Sequence, residues 1–600
     1  MRTIFRYREE RRFPHAPDVV WPFVADSARV NELAGLPPYQ LQEALEPDGR
    51  VRRIATGKLG PLTLSWEEGW GEWEENRYLV ERRRFLSGPM RQFEARCELF
   101  AEPGGCRVLF SGEIECAGLA GLAAKASGIL KREADKRVAL IERMIGDAAA
   151  NGGLPGPATR DLLEPPARRR LDALLASLSG DAASQRLAVK LVDLLARAPG
   201  VVLRSLRPLT LATQWGAVPS AAVELFLAAH KRGVLAMSWD LLCPRCRGAK
   251  LRVRHLHELP DGAHCPSCNI DYQRDFTRNV ELTFRPEPWV RRLPEGELCA
   301  LGPGTTPHVK FQAEVRAQSS VRFALALPPG PYRFRTVEAG DSADFELGAD
   351  GRMPELRATS SGIAPLAPGT VGELLIRNDT DRSLFFVVED RRWARDALTG
   401  ERVIAMPAFR RLCPEQLLRP GDNIEIGRVT IMFTDLQGST RLYEELGDAR
   451  AFRLVRDHFA FLSERVQQHG GAVVKTAGDA VMAAFHDPAD AVRAALAIQD
   501  GIAAFNAGRA DGGILLKIGL HAGSCIAVTT ADVLDYFGAA VNTASRLEHQ
   551  CAGGEVLISE AVLEDADAAA TLAGRDALAD AVSLRGISEP LRFRRLGPRA

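Results

Sequence analysis

The period of hydrophobic and polar positions changes several times along the chain, and each change marks an element. Apolar and polar side chains alternate over Val51–Thr56 and Leu62–Trp66, and again near Tyr78–Phe85, Arg91–Phe100 and Cys106–Glu115. A period of two predicts half-buried strands. Ahead of them, His15-Ala-Pro-Asp18 leads into Val19-Val-Trp-Pro-Phe23, a strand-to-helix transition. Leu130, Ala134, Val138, Ile141 and Ile145 then recur at helical spacing, so a long helix closes a first α+β unit, residues 1–150. Asn151–Pro166 is rich in Gly and Pro and reads as a linker. Within 151–240, Leu171, Leu174, Leu175 and Leu178 form one helical stripe and Leu187, Leu191, Leu194 and Leu195 another. Residues 296–425 return to alternation, at Val309–Val315, Val321–Leu327, Tyr332–Val337, Gly372–Ile376 and Leu384–Val388, with turn signals between; this predicts a β-sandwich. From Val429 strands and helices alternate, giving a last α/β unit, residues 427–600.

Short helices, a meander of strands and a long closing helix in residues 1–150 resemble the START/Bet v 1-like fold. That resemblance implies a cavity between sheet and helix for an apolar small-molecule ligand. Trp66, Trp70 and Trp73 either line such a cavity or simply pack in the core.

Composition narrows the partners. A chain of 600 residues is too long for one core, so a multidomain protein is expected. Lys+Arg and Asp+Glu both number 77, and no basic stripe marks the helical segment, which argues against nucleic acid even if that segment were winged-helix-like. No apolar run reaches the roughly 18 residues of a membrane span, and the charged start lacks a signal-peptide pattern, so a cytoplasmic protein is expected.

In that setting eleven cysteines read as thiols or metal ligands. Cys243-Pro-Arg-Cys246 and Cys265-Pro-Ser-Cys268, separated by 18 residues, have the spacing of a four-thiolate zinc ribbon, placed at 241–290. Four Cys ligands close the shell, so the Zn²⁺ would be structural. A ribbon without metal and a pair of redox dithiols are the alternatives.

The last unit holds the candidate chemistry. The strand Val429–Phe433 runs to Asp435, and Leu436-Gln-Gly-Ser-Thr440 turns into a helix from about Ser439 to Leu446. A carboxylate at a strand end, beside a helix N-terminus, can hold a metal next to phosphates. Gly470–Phe485 reads as a β-hairpin turning at Ala477-Gly478, with Lys475 on one arm and Asp479 on the other. Asp535 precedes a helix on which Asn542 and Arg546, four apart, share a face.

Phe433-Thr-Asp-Leu-Gln-Gly-Ser-Thr440, Lys475-Thr-Ala-Gly-Asp479, Gly519-Leu-His-Ala-Gly523 and Asp535-Tyr-Phe-Gly…Val-Asn-Thr-Ala-Ser-Arg546 together resemble the class III adenylyl and guanylyl cyclases. The resemblance implies an α/β catalytic domain with a ferredoxin-like core that works as a homodimer. It implies metal ligation of two Mg²⁺ or Mn²⁺ ions by Asp435, the Leu436 carbonyl and Asp479. It implies base contacts from Lys475 and Asp535, ribose positioning by Asn542 and transition-state stabilisation by Arg546; Gly438, Ser439 and Thr440 are candidate substrate-binding residues. Lys475 can donate to adenine N1 and Asp535 or a neighbouring carbonyl can accept from N6, so ATP and cyclic AMP are the expected substrate and product, with the N-terminal domains as regulators. A guanylyl cyclase and a catalytically silent nucleotide-binding module are the alternatives. Some family members carry a Lys near the C-terminal end; the stretch here is Leu584-Arg-Gly-Ile-Ser-Glu-Pro590, where Arg585 could substitute.

Overall fold

The computed structural model describes every residue except 1, 47–49, 60–61, 119–122, 124, 151–160, 177–181, 300–301, 339, 341, 393–396, 405, 420–421, 423, 508–512, 531–532, 585–588 and 598–600. Most of the expected linker 151–166 and the stretch around Arg585 therefore lie outside the described residues, as does the Thr440 side chain. The chain divides into two units: Met1–Arg252, Pro260–Arg274 and Thr283–Ala397 form one, and Val253–Leu259, Asp275–Leu282 and Leu398–Ala600 the other.

In the first unit the strand Arg2–Phe13 pairs antiparallel with Gly105–Ala117 over twelve residues. This is the strand ahead of the expected strand-to-helix transition, and its outward positions are Arg and Glu rather than neutral polar residues. They are used in cross-strand ion pairs such as Arg6–Glu113 at 2.7 Å. The sheet continues through Met90–Glu102, Tyr78–Phe85 and Glu72–Glu74, then through Val309–Val315, Leu384–Asp390, Gly330–Thr336 and Ser342–Leu347. The segments 1–150 and 296–425, read as separate bodies, thus share one sheet, joined where Trp73 pairs with Gln312. Trp73 is 2% exposed and donates its indole N–H to the Val309 carbonyl at 3.1 Å, so it is a core residue. Helix Ile129–Ala150 covers the N-terminal part of the sheet, burying Val138, Ile141 and Ile145 against Phe13, Val108 and Phe110.

A second sheet, Ser319–Ala324, Glu373–Asn378, Arg352–Thr359 and Gly362–Val371, shares a core with the C-terminal strands of the first through Phe311, Phe334, Phe386, Leu356 and Ile376. The helical expectation for 151–240 stops short: Leu235–Leu242 is a fully buried strand. Its length of eight residues, and burial on both faces, explain why periodicity alone misled.

The second unit is built on a sheet ordered Ala472–Ala477, Ala480–Phe485, Ile424–Leu436, Leu516–Thr530, Val556–Ser559, Leu591–Leu596 and Ala577–Val582, with Val533–Phe537 folded back on Leu516–Thr530. Pairing is antiparallel except between Leu516–Thr530 and Val556–Ser559. Helices Asp448–Gln468 and Pro488–Asn506 bury Leu462, Val466, Val492 and Ile498 in its core. Residues 400–412, inside the stretch read as all-β, instead form the short helices Gly400–Ile404 and Pro407–Leu412 and belong to this unit. Pro407 at a first helical position is pre-set for that start. No described helix is long and apolar enough to cross a membrane.

Candidate active site

Asp435 sits near the end of the central strand Ile424–Leu436, which is buried between two neighbours. The chain leaves the strand through Gly438, whose φ of 72° is a left-handed conformation that costs a side chain-bearing residue more, and enters helix Ser439–Leu446. This turn brings the Leu436 N–H and the Ser439 hydroxyl to the Asp479 carboxylate, both as hydrogen-bond donors. Asp479 lies in the hairpin turn between Ala472–Ala477 and Ala480–Phe485, beside Gly478 at φ 65°, rather than on the second arm as read from sequence. Two aspartates 44 positions apart in sequence are thereby neighbours.

Their electrostatics ask for a cation. The Asp479 carboxyl is raised above its ordinary value, first by burial and then by the charge of Asp435. Its Oδ2 is buried without a hydrogen-bond partner, an arrangement that a carboxylate tolerates poorly unless a positive ligand completes it. Asp435 already shows that demand: the Lys517 ammonium lies 2.5 Å from its Oδ2 and 3.0 Å from Glu548 Oε1. Burial alone would lower the Lys517 pKa, but the hydrogen bonds to Asp435 and Glu548 outweigh it and raise it. A hard, oxygen-only donor pair of this kind fits Mg²⁺ or Mn²⁺.

Lys517 and Glu548 were not singled out in the sequence. Lys517 is directly opposite Asp435 in the strand ladder, a register no local pattern reveals. The available signal was a single Lys inside the apolar run Ile514-Leu-Leu-Lys-Ile-Gly-Leu520.

Lys475 and Asp535 form a second cluster. The Lys475 ammonium is 2.7 Å from Asp535 Oδ2, while Asp535 Oδ1 accepts the Tyr536 N–H at 2.7 Å. The backbone bond fixes the mostly buried carboxylate, and Lys475 stays partly exposed near the Phe537 ring at 5.5 Å.

Asn542 and Arg546 lie on helix Ala539–Glu548 and both are exposed. Gly519 explains how that helix packs: a Cβ at this position would stand 2.5 Å from the Glu548 backbone N and 2.7 Å from its Cα. Only glycine permits that approach, and Gly523, beneath Ala540, continues the same groove. The Gly-Leu-His-Ala-Gly motif is therefore a seat for the helix that carries Asn542 and Arg546. His521, in the middle of the motif, bonds the Ser559 hydroxyl at 2.9 Å and is pushed down to about 4 by burial, then by Arg428.

The cysteine cluster lies in the first unit. One ligand sulfur from each of Cys243, Cys246, Cys265 and Cys268 comes together, all within 4.8 Å of one another. The two turns are alike: the residue after each second cysteine, Arg247 at φ 61° and Asn269 at φ 49°, is left-handed, which curls both turns around a common point. The second turn is held by the hairpin Gly262–Cys265/Ile270–Gln273. Cys265 is held at about 7, chiefly by its hydrogen bond with Cys243. Cys246 is lowered by the neighbouring sulfurs and by Lys250.

Residues 423–582 match the family described as the adenylate and guanylate cyclase catalytic domain. The chain carries a class III cyclase catalytic domain. Residues 169–323 match a family of unknown function. An adenylate cyclase of Anabaena cylindrica is 33% identical over 164 residues, 24% of this chain and 33% of that protein. Adenylate cyclase 1 of Rhizobium meliloti is 32% identical over 185 residues, 26% of this chain and 28% of that protein. The match to these curated relatives thus spans a third or less of their length. Adenylate cyclases of Trypanosoma brucei solved in their monomeric state are 25% identical, covering 29% of this chain and 88% of theirs with a TM-score of 0.25.

Proposed function

We propose that the protein is an adenylyl cyclase that converts ATP to 3′,5′-cyclic AMP and pyrophosphate. The observation that carries the reading is the Asp435–Asp479 pair, with its orphaned buried oxygen, inside the stretch that matches the cyclase catalytic family. Asp435, Asp479 and the Leu436 carbonyl are the groups that would hold two divalent ions. When bound, such ions supply positive charge that acidifies the ribose 3′-hydroxyl and gathers the triphosphate oxygens.

The protein's own groups do the rest. The turn at Gly438 and the Ser439 hydroxyl hold the Asp479 carboxylate in place through hydrogen bonds rather than leaving it free to swing. The same turn, with Thr440, opens the helix Ser439–Leu446 toward phosphate oxygens. Asn542 orients the ribose for attack, and Arg546 takes up charge growing on the α-phosphoryl group. Lys475 donates to adenine N1 and Asp535 accepts from the N6 amine. Their mutual ion pair keeps both side chains extended toward one place, and a base would exchange that contact for one hydrogen bond to each. Guanine reverses the donor and acceptor pattern, so this pair disfavours GTP.

Asn542 and Arg546 are exposed on their own chain, which supports a homodimer whose sites take the aspartates from one protomer and Asn542 and Arg546 from the other. The domain division read from sequence, the regulatory role of the N-terminal part and a structural Zn²⁺ on the four cysteines belong to the same proposal. The convergence of four sulfurs supports the zinc.

The test is turnover of ATP and of GTP by the purified chain with Mg²⁺ and with Mn²⁺. Preference for ATP by at least about tenfold is expected, and Lys475→Glu with Asp535→Ser should erode it. Asp435→Ala and Arg546→Ala chains, each inactive, should regain activity on mixing, because hybrid dimers rebuild one intact site. Equal use of GTP, or mixtures as silent as their components, would refute the substrate and the shared site respectively.

A further inference from the structure

The first unit contains a cavity of ≈ 690 Å³ lined by residues of its sheet and of helix Ile129–Ala150. That volume is in the range of small-molecule sites. Leu64, Trp66, Phe85, Met90, Phe93 and Ile114 are among its walls. Of the three tryptophans noted in the sequence, Trp66 is the one that lines it. Leu62 and Ile129, also among the lining residues, are 50% and 47% exposed, an apolar rim open to solvent.

The walls are not uniformly apolar. Lys58, Arg83, Lys136 and Arg137 line the cavity with only Glu133 against them. Lys58 is exposed to solvent, and two of the other three cations are accounted for. The Arg83 guanidinium is 3.1 Å from Glu68 and lies over the rings of Phe93 and Trp66, 5.6 and 6.0 Å from their centroids. The Lys136 ammonium donates to the Ala34 carbonyl. Arg137 is different: among the described residues it makes no hydrogen bond and no ion pair. Burial lowers its pKa, and the charge of Arg83 lowers it further. Glu81 attracts it at a distance, but that carboxylate is the acceptor for the Ser27 hydroxyl. Tyr7, whose phenol is raised chiefly by burial, also lines the cavity, and its hydroxyl makes no hydrogen bond among the described residues. An apolar pocket thus presents a planar five-donor cation and a phenol, both without an acceptor.

We propose that this cavity binds an apolar molecule bearing one carboxylate, with the carboxylate on Arg137 and Tyr7 and the hydrocarbon against Leu64, Trp66 and Phe93. The guanidinium fork suits a carboxylate better than any neutral head group, and a desolvated arginine gains most from a charged partner. A purely hydrocarbon ligand would leave the half-buried Arg137 unanswered. The inference stands independently of the cyclase reading.

Calorimetric titration of the full-length chain tests it, with dodecanoate and naphthalene-2-carboxylate as the two acids and dodecanol and naphthalene-2-methanol as their neutral counterparts. At least one acid should bind at one per chain, at least about tenfold tighter than its alcohol. Arg137→Gln should bring that acid down to the level of the alcohol and leave the alcohol unchanged. Ala134→Trp, which fills the cavity, should abolish both without lowering the melting temperature. Which acid binds separates a chain-shaped from a ring-shaped ligand. Binding of neither acid, equal affinity of acid and alcohol, or an acid affinity untouched by Arg137→Gln would overturn the proposal.

Discussion

The two clusters proposed here to hold metal are opposites. The four cysteines converge with their sulfurs within 4.8 Å, three of them buried and Cys246 half-buried, and they supply a complete tetrahedral set from one short stretch. The two aspartates supply too few ligands for any ion. Asp435 remains 26% exposed on its side chain and borrows a lysine. A site whose shell the protein fills can only hold the fold together. Under the proposed function, a site the protein leaves incomplete would be finished by nucleotide oxygens, water or a second chain, and that incompleteness would let it turn over.

The comparison can be broken at either end. Its largest expected consequence is at the cysteines: Cys265→Ser with Cys268→Ser should remove one zinc per chain by elemental analysis. It should also destabilise the first unit by up to about 10 kcal/mol, the scale of zinc-driven folding in small domains, seen as early loss of structure on heating. Asp479→Ala should do the reverse. Cyclic AMP formation should fall at least about a hundredfold, since a metal ligand is worth more than the supporting groups whose loss costs 10–100-fold, while the melting temperature stays within a few degrees. If the aspartate variant unfolds and the cysteine variant stays folded and metal-bound, the contrast is wrong.

Gly519→Ala sharpens the contrast by disturbing the second site without touching a ligand. Its methyl would meet the Glu548 backbone, costing roughly 1–3 kcal/mol in the second unit as overpacking does, with activity falling as the helix bearing Asn542 and Arg546 is pushed away. Denaturant titration and turnover read the two effects.

The smallest effect is common to both units. His308 in the first and His521 in the second are each pushed down to about 4, chiefly by burial. The unfolded chain takes up a proton near 6.5 while the native chain does not, so stability is full above that value and declines as pH falls toward 4. Each histidine should cost about 1 kcal/mol between pH 7 and 5.5, and His308→Gln or His521→Gln should flatten that slope in urea midpoints.

Legibility in the sequence follows the same division. The cysteine set was readable because its ligands come in two local turns. That Asp435 neighbours Asp479, that Lys475 neighbours Asp535, and that one helix carries Asn542 and Arg546 was legible because short motifs carry these residues. Lys517 and Glu548 were not, because their meeting with Asp435 depends on strand register and on a helix crossing that Gly519 permits. The extent of the strand Arg2–Phe13 was hidden by charge on its outward face. The shared sheet of the first unit was hidden because no local pattern says which strand edges meet.

That shared sheet has a consequence for biosynthesis. Trp73 finds the partner for its indole N–H 236 residues later, at Val309. At elongation rates of about 5–20 residues per second, a nascent chain waits tens of seconds with the edge at Glu72–Glu74 uncovered. An isolated N-terminal fragment would wait indefinitely, so excising the first 150 residues as a free-standing piece would yield a body with an adhesive border.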